Sequence, residues 1–147
     1  MSTQWFECKV RHDKTMEDGL IKSVTESFLV DALSFTEAES RFIDEIKQFI
    51  TGEFTVTDIK RTRIAELYES NDSLADRWYR GKISQIIIDD KSEKEKRTSY
   101  TVLVQAIDLR DAVKNIDAAM ANSITDYDIV SVTETKIIDV YRYKQKE

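Results

Sequence analysis

The chain has 147 residues, with 28 acidic and 22 basic side chains, a formal net charge of −6 and 41% hydrophobic residues. A chain of this length can bury a substantial core, and its single Cys and single His argue against a disulfide framework and against metal sites that need several thiolates or imidazoles. No apolar run approaches the roughly 20 residues that span a bilayer, and the N-terminal residues lack a signal-peptide pattern. We therefore expect a soluble, cytoplasmic protein with no membrane partner and no cofactor.

The first predicted elements are two strands joined by a turn. Residues 4–12 are rich in aromatic and apolar positions, which is typical of a strand. Asp18-Gly19 indicates a turn, because glycine readily adopts positive φ. A second strand is expected at about residues 20–32.

A helix is predicted next, followed by more β structure. Ser34 and Glu37 have the spacing of a capping box, which marks a helix start, and Gly52 is a plausible stop. Residues 54–68 are rich in β-formers, and a slip of phase between Val56 and Ile59 indicates a bulge or a break. The apolar stripe of the helix recurs every three or four residues, at Phe35, Ala38, Phe42, Ile46 and Phe49.

The second half repeats this order. Strands are expected at about 77–89 and 99–107 with a charged loop between them, then a helix capped by Asp108, then a final strand at about 127–141. The apolar stripe of this helix comprises Leu109, Ala112, Val113, Ile116 and Met120.

The two halves also resemble each other residue by residue, which indicates an internal duplication. Trp5 and Trp78 are 73 positions apart, and the segments 29–33 and 103–107 match at a separation of 74. We therefore predict an α+β fold in which two tandem ββαβ repeats, about 4–69 and 77–142, form one pseudo-symmetric domain over 1–147. Its sheets are expected to be mostly antiparallel and covered by the two helices. The alternative is that similar topology alone imposes similar hydrophobic patterns.

Aromatic residues and cations at matching positions form the first candidate binding site. Successive strand residues face opposite sides, so one aromatic of each pair can enter the core while the other faces outward. An outward ring beside cations would let nucleic-acid bases stack next to a neutralised backbone. The alternative is that all four aromatics are packing residues. The candidate residues are Trp5, Phe6, Lys9, Trp78, Tyr79, Arg80 and Lys82.

Three further cations lie on the predicted third strand and form a second candidate phosphate contact. They are Lys60, Arg61 and Arg63, of which Arg61 and Arg63 share a face if no bulge intervenes. The alternative is a solvent-facing strand whose cations pair with neighbouring carboxylates.

No catalytic or metal-binding set emerges from the sequence. Glu7-Cys8-Lys9 spells only part of a metal-dependent nuclease motif and has no acidic partner upstream. Cys8 and His12 could share a strand face, but no third group accompanies them. We therefore expect a protein that is not an enzyme.

Several segments resemble an uncharacterised protein family of Bacteroidota, their mobile elements and their phages. They are Trp5–Val10, Leu29–Glu39, Gly52–Lys60, Asp76–Tyr79 and Asp108–Val113. The family has no known function and brings no catalytic residues. The resemblance implies a phage or mobile-element accessory protein that acts in the host cell cytoplasm, near DNA replication or counter-defence genes.

Two functions remain open from the sequence, with an enzyme as a distant third. The first is a non-enzymatic binding module for single-stranded nucleic acid or a nucleotide, which the sheets, aromatics and cations favour. The second is an acidic adaptor or inhibitor of a host or phage protein, which residues 1–72 favour with 15 acidic against 9 basic side chains. A homodimer is compatible with both.

Overall fold

A computed structural model describes residues 4–142, in which eight strands and two helices form an α+β fold. Two four-stranded sheets are each accompanied by one helix. Four of the six strand pairings in the described residues are antiparallel and two are parallel, so both sheets are mixed. The elements are β1 (Gln4–Thr15), β2 (Ile21–Ala32), α1 (Phe35–Phe49), β3 (Phe54–Thr62), β4 (Glu66–Tyr68), β5 (Arg77–Ile88), β6 (Glu95–Ala106), α2 (Leu109–Ala119), β7 (Tyr127–Glu134) and β8 (Ile137–Tyr141).

The chain divides into two compact units that do not follow its two halves. Unit 1 contains the described residues up to Arg63 and those from Lys136 onward, whereas unit 2 spans Ile64–Thr135. The sheet of unit 1 has the order β3-β1-β2-β8, and that of unit 2 has the order β7-β5-β6-β4. β4 therefore follows β3 in sequence but joins unit 2, and β8 follows β7 but joins unit 1.

These crossings correct the predicted final strand. A continuous strand was expected over 127–141, but Thr135 and Lys136 separate β7 from β8, which belongs to the other sheet. Both exchanged strands run parallel to their new neighbours, β8 to β2 and β4 to β6. The phase slip predicted between Val56 and Ile59 is confirmed as a bulge, because Lys9 pairs with Asp58 while Val10 pairs with Val56.

Both helices begin at the predicted caps. The Ser34 hydroxyl accepts from the Glu37 amide at 3.1 Å, and the Asp108 carboxylate accepts from the Asp111 amide at 2.8 Å. The side chain of Asp111 in turn accepts from the Ile107 amide at 2.9 Å. These side chains satisfy amides that the helix itself leaves unpaired.

Each helix packs on one face of its own sheet and encloses a separate core. The stripe of α1 is buried at Ala38, Phe42 and Ile46, but its predicted ends Phe35 and Phe49 are 48% and 57% exposed. In unit 2, Gly81 lies beneath α2, where an added Cβ would come within 2.8 Å of Ile116 Cδ1. Unit 1 buries Phe6, Cys8, Val10, Phe28 and Val30 beneath its helix. Unit 2 buries Tyr79, Ile83, Val102 and Val104 beneath Ala112 and Ile116.

Candidate nucleic-acid interface

The aromatic pairs are divided between two faces of their strands, as the alternation predicts. Phe6 and Tyr79 point toward the helices and belong to the two cores, where they are 0% and 2% exposed. Trp5 and Trp78 therefore lie on the opposite sheet faces. Trp78 is only 4% exposed and offers no open ring to a base, whereas Trp5 is half-buried beside the Arg142 guanidinium, 5.8 Å from its ring centroid.

Arg80 and Lys82 follow Trp78 at alternate positions of β5, so they share its face. We call this surface the helix-distal face of unit 2, because Tyr79, Gly81 and Ile83 point the other way toward α2. Both cationic side chains are exposed. Within the described residues, neither forms an ion pair.

The strands beside these cations present hydroxyl groups rather than carboxylates. Lys82 lies directly opposite Ser131 of β7 and Thr101 of β6, and Arg80 lies opposite Thr133 of β7 and the buried Leu103 of β6. Hydroxyls and cations are both common donors to phosphate oxygens. The arrangement therefore suits an anion that extends along the strand.

The corresponding face of unit 1 has balanced charges. On β1 and β3, Glu7 lies opposite Lys60 and Lys9 lies opposite Asp58. Directly opposed charges of unlike sign attract across a strand pair. Lys9 and Lys60 therefore have acidic cross-strand partners, which Arg80 and Lys82 lack among the described strands.

The remaining predicted cations do not assemble into one patch. Arg61 pairs with Phe6, on the face opposite Lys60, and its guanidinium lies over the Phe35 ring at 5.2 Å. This contact is a cation–π interaction. Arg63 lies beyond the end of β3, so strand alternation does not place it beside Arg61.

Sequence reasoning found the two cations but missed the three hydroxyl residues around them. Thr101, Ser131 and Thr133 come from β6 and β7, and only the strand register brings them beside β5. The signal available was the polar alternation of β7, where Ser131 and Thr133 are exposed and Val132 is partly buried.

The structure also shows the surroundings of Cys8 and His12, the two residues considered for nucleophilic catalysis. Cys8 is fully buried, and burial, with smaller effects from Glu7 and Asp58, raises the pKa of its thiol to about 12. His12 instead contacts the carboxylate of Glu26. No group of three or more His, Cys, Asp or Glu that could hold a metal occurs in residues 4–142, and no helix in that range is long and apolar enough to cross a membrane.

Comparison with known proteins assigns the chain to a protein family. No curated protein and no solved structure matches the chain significantly. The sequence profile of one domain family covers residues 4–143, which include every strand and helix described above. The chain therefore belongs to the family described as Domain of unknown function (DUF4494).

Proposed function

We propose that the protein is a non-enzymatic module that binds single-stranded nucleic acid along the helix-distal face of unit 2. The observation that carries this proposal is the pair Arg80 and Lys82, exposed, adjacent on one strand face and unpaired within the described residues. Lysine and arginine that neutralise phosphates dominate the affinity of such interfaces. The hydroxyls of Thr101, Ser131 and Thr133 flank them as further phosphate donors.

The nucleic acid is held mainly by its backbone in this proposal. Phe6, Trp78 and Tyr79 are buried, so they position the strands and do not stack with bases. Trp5 is the one aromatic of the four that retains partial exposure. Sequence preference is therefore expected to be weak, because phosphate contacts carry no direct sequence information.

The test is a titration of the full chain with fluorescently labelled single-stranded DNA, single-stranded RNA and duplex DNA at two salt concentrations. We expect single strands to bind, with an affinity that falls as salt rises. The double variant Arg80→Ala/Lys82→Ala should weaken binding at least about tenfold and reduce the salt slope by roughly 1.4, about 0.7 for each phosphate that is no longer neutralised.

The chain supplies a charge-matched control on the same face of unit 1, where Lys9 corresponds to Lys82 and Lys60 corresponds to Thr133. Lys9→Ala/Lys60→Ala also removes two positive charges, but from a face where Glu7 and Asp58 oppose them. This variant should change the affinity much less than the Arg80/Lys82 variant. If both variants weakened oligonucleotide binding equally, the effect would be due to net charge alone. Absence of oligonucleotide binding at low salt would contradict the proposal.

The second candidate is an acidic protein-interaction module that acts as an adaptor or an inhibitor of a host enzyme. Residues 1–72, with 15 acidic and 9 basic side chains, favour a basic partner surface. This function predicts no binding to any oligonucleotide at low salt. It also predicts that Arg80→Ala/Lys82→Ala leaves binding of the partner unchanged.

We further infer that the two halves of the chain descend from one duplicated ββαβ segment. Equivalent registers support this: Leu29 pairs with Val140 in unit 1, and Leu103 pairs with Leu67 in unit 2. The antiparallel edge pairs are irregular at matching places, between Lys9 and Val10 on β1 and between Lys82 and Ile83 on β5. The phage or mobile-element origin and the action in a host cytoplasm remain proposals that rest on the sequence resemblance.

A further inference from the structure

A second candidate site lies within unit 2, at the C-terminal end of α2. A cavity of about 600 Å³ opens there, lined by residues of β4, β5, β6 and the segment that follows α2. The hydroxyls of Tyr68 and Tyr100 both point to the sulfur of Met120, at 3.8 and 3.6 Å. Polarizable sulfur and aromatic rings make favourable contacts with planar groups.

In unit 1 the corresponding place is filled by aromatic rings. Phe28 stacks on Tyr141 with centroids 5.8 Å apart and planes 15° apart. The Phe49 ring meets Phe28 edge-on, with centroids 5.7 Å apart. Three aromatic side chains thus occupy the space between β8, β2 and the end of α1.

Unit 2 retains only one of those three rings. Tyr68 of β4 corresponds to Tyr141 of β8, because both lie beside matching residues, Val104 and Val30, of the neighbouring strand. By the 74-residue separation, Val102 corresponds to Phe28 and Ser123 to Phe49. The cavity of unit 2 is therefore lined by Tyr68 and Ser123, at the positions that Tyr141 and Phe49 occupy in unit 1.

The polar groups around the cavity indicate which ring it accepts. Glu66 lies at its edge, and Gln85 and Asn122 add amide donors and acceptors. Burial, then Tyr100 and the Glu66 carboxylate, raise the pKa of Tyr68, and burial followed by Glu66 raises that of Tyr100. Glu66, Tyr68 and Tyr100 all line the cavity. Among residues 4–142, no Lys, Arg or His lines the cavity, so a phosphate group is disfavoured there.

We propose that this cavity binds an uncharged guanine base or nucleoside, with the ring beside Tyr68 and Tyr100 and its N–H edge on Glu66. Guanine presents the exocyclic N2 amino group beside its N1–H, so it can donate two hydrogen bonds to one carboxylate. Adenine presents one amino group beside an acceptor nitrogen, which a carboxylate repels. The volume is within the range of small-molecule sites. This site is on the helix face of the sheet and is separate from Arg80 and Lys82.

The test is calorimetric or equilibrium-dialysis titration of the full chain with guanosine and adenosine. We expect guanosine to bind at least about tenfold more tightly than adenosine, a difference of one or two charge-assisted hydrogen bonds. Ser123→Phe, which places in unit 2 the residue that unit 1 carries, should weaken guanosine binding at least about tenfold by filling the cavity. Ser123→Ala is the matched control and should bind as the natural chain does.

A second variant keeps the test informative if Ser123→Phe fails to fold. Glu66→Gln changes an exposed carboxylate and should remove the preference for guanosine over adenosine. Arg80→Ala/Lys82→Ala should leave guanosine binding intact, which separates this site from the proposed nucleic-acid surface. Absence of guanosine binding, equal affinity for both nucleosides, or undiminished binding by a folded Ser123→Phe would each overturn the proposal.

Discussion

The thiol of Cys8 shows at the scale of one residue how its surroundings decide its chemistry. The side chain is fully buried beneath α1, and burial, then Glu7 and Asp58, raise the pKa of the thiol to about 12. Only the thiolate is an effective nucleophile. The folded protein therefore holds this cysteine in an unreactive form at neutral pH.

We predict that Cys8 reacts with an aromatic disulfide reagent at pH 8 at least about a hundredfold more slowly in the native protein than in urea. The reason is both steric exclusion and the small thiolate fraction. Absorbance of the released thiol measures the rate, and Cys8→Ala should give no signal in either state. Comparable rates in the folded and unfolded protein would contradict the placement of this side chain.

Tyr141 makes the stability of the protein depend on alkaline pH. Burial, followed by Asp139 and Glu45, raises the pKa of its phenol from 10.0 to about 12. Above pH 10 the unfolded chain loses this proton more readily than the native state, so ionisation favours unfolding. The contribution of the neutral phenol is complete below pH 10 and is lost as pH rises toward about 12.

The corresponding prediction is that Tyr141→Phe reduces the loss of stability between pH 10 and pH 12. Urea unfolding at several pH values measures the effect, and pH 8 gives the reference at which the phenol is neutral in both states. If the natural chain and the variant decline in parallel over that interval, Tyr141 does not account for any of the alkaline loss.

Among the secondary elements, the contact of α2 with β5 depends on the absence of a side chain at Gly81. An added Cβ would come within 2.8 Å of Ile116 Cδ1 and 3.1 Å of Val102 Cγ2. Unit 1 instead has Cys8 at the matching position and accommodates it in its core. The two units thus form the same kind of helix–sheet contact with different residues, Cys8 in unit 1 and Gly81 in unit 2.

We predict that Gly81→Val destabilises the protein by about 1–3 kcal/mol through overpacking. Ile116→Ala alone should cost about 2–5 kcal/mol, but the double variant should be less destabilised than the sum of the two single variants, because Ile116→Ala removes the atom nearest to the added side chain. A double-mutant cycle in urea measures the coupling. Strict additivity of the two changes would show that the introduced valine side chain and Ile116 do not compete for the same space.

The start of α1 offers a matched pair of serines. Ser34 accepts from the Glu37 amide, whereas Ser40 is exposed within the same helix. Ser34→Ala should cost about 1 kcal/mol, and Ser40→Ala should change stability by less than about 0.5 kcal/mol. Chemical unfolding measures both, and equal effects would argue against a capping role for Ser34.

The elements themselves were largely readable from the sequence, because capping spacing and apolar periodicity are local. Ser34 and Asp108 marked both helix starts, and Ala38, Phe42 and Ile46 marked the buried face of α1. The short strands β4 and β8 have only three and five residues, too few for a clear period. Their exchange between sheets depends on which sheet edge each strand pairs with. A local sequence pattern contains no information about that pairing.

The candidate site was readable in part for the same reason. Alternation along β5 places Arg80 and Lys82 on one face, and the structure keeps them there. The same pattern left open whether one aromatic of each pair faces outward or all four are packing residues, and Trp78, on the face of these cations, is 4% exposed. Alternation gives the side of a strand but says nothing about what covers that side.

For the whole molecule, the two tryptophans report on the two units separately. Trp5 belongs to unit 1 and Trp78 to unit 2. Three residues separate β3 from β4 and two separate β7 from β8, so both connections between the units are very short. The single domain expected from the sequence therefore remains our prediction.

We predict one cooperative unfolding transition for the whole chain. Trp5→Phe and Trp78→Phe each leave one fluorophore, and urea curves of the two variants should have coincident midpoints after correction for any change in stability seen by circular dichroism. Separate midpoints, with one unit unfolding while the other persists, would instead establish two independent domains.

The strand exchange also sets the order in which the protein can be completed during its synthesis. When β1, β2, α1 and β3 have left the ribosome, β2 still lacks its parallel neighbour, since β8 begins about 75 residues after the end of β3. At a translation rate of about 5–20 residues per second, that edge stays open for roughly 4–15 seconds. Until β8 emerges, the open edge of β2 can pair with the same edge of β2 in a neighbouring nascent chain. Closely spaced ribosomes on one message would therefore favour mispaired dimers.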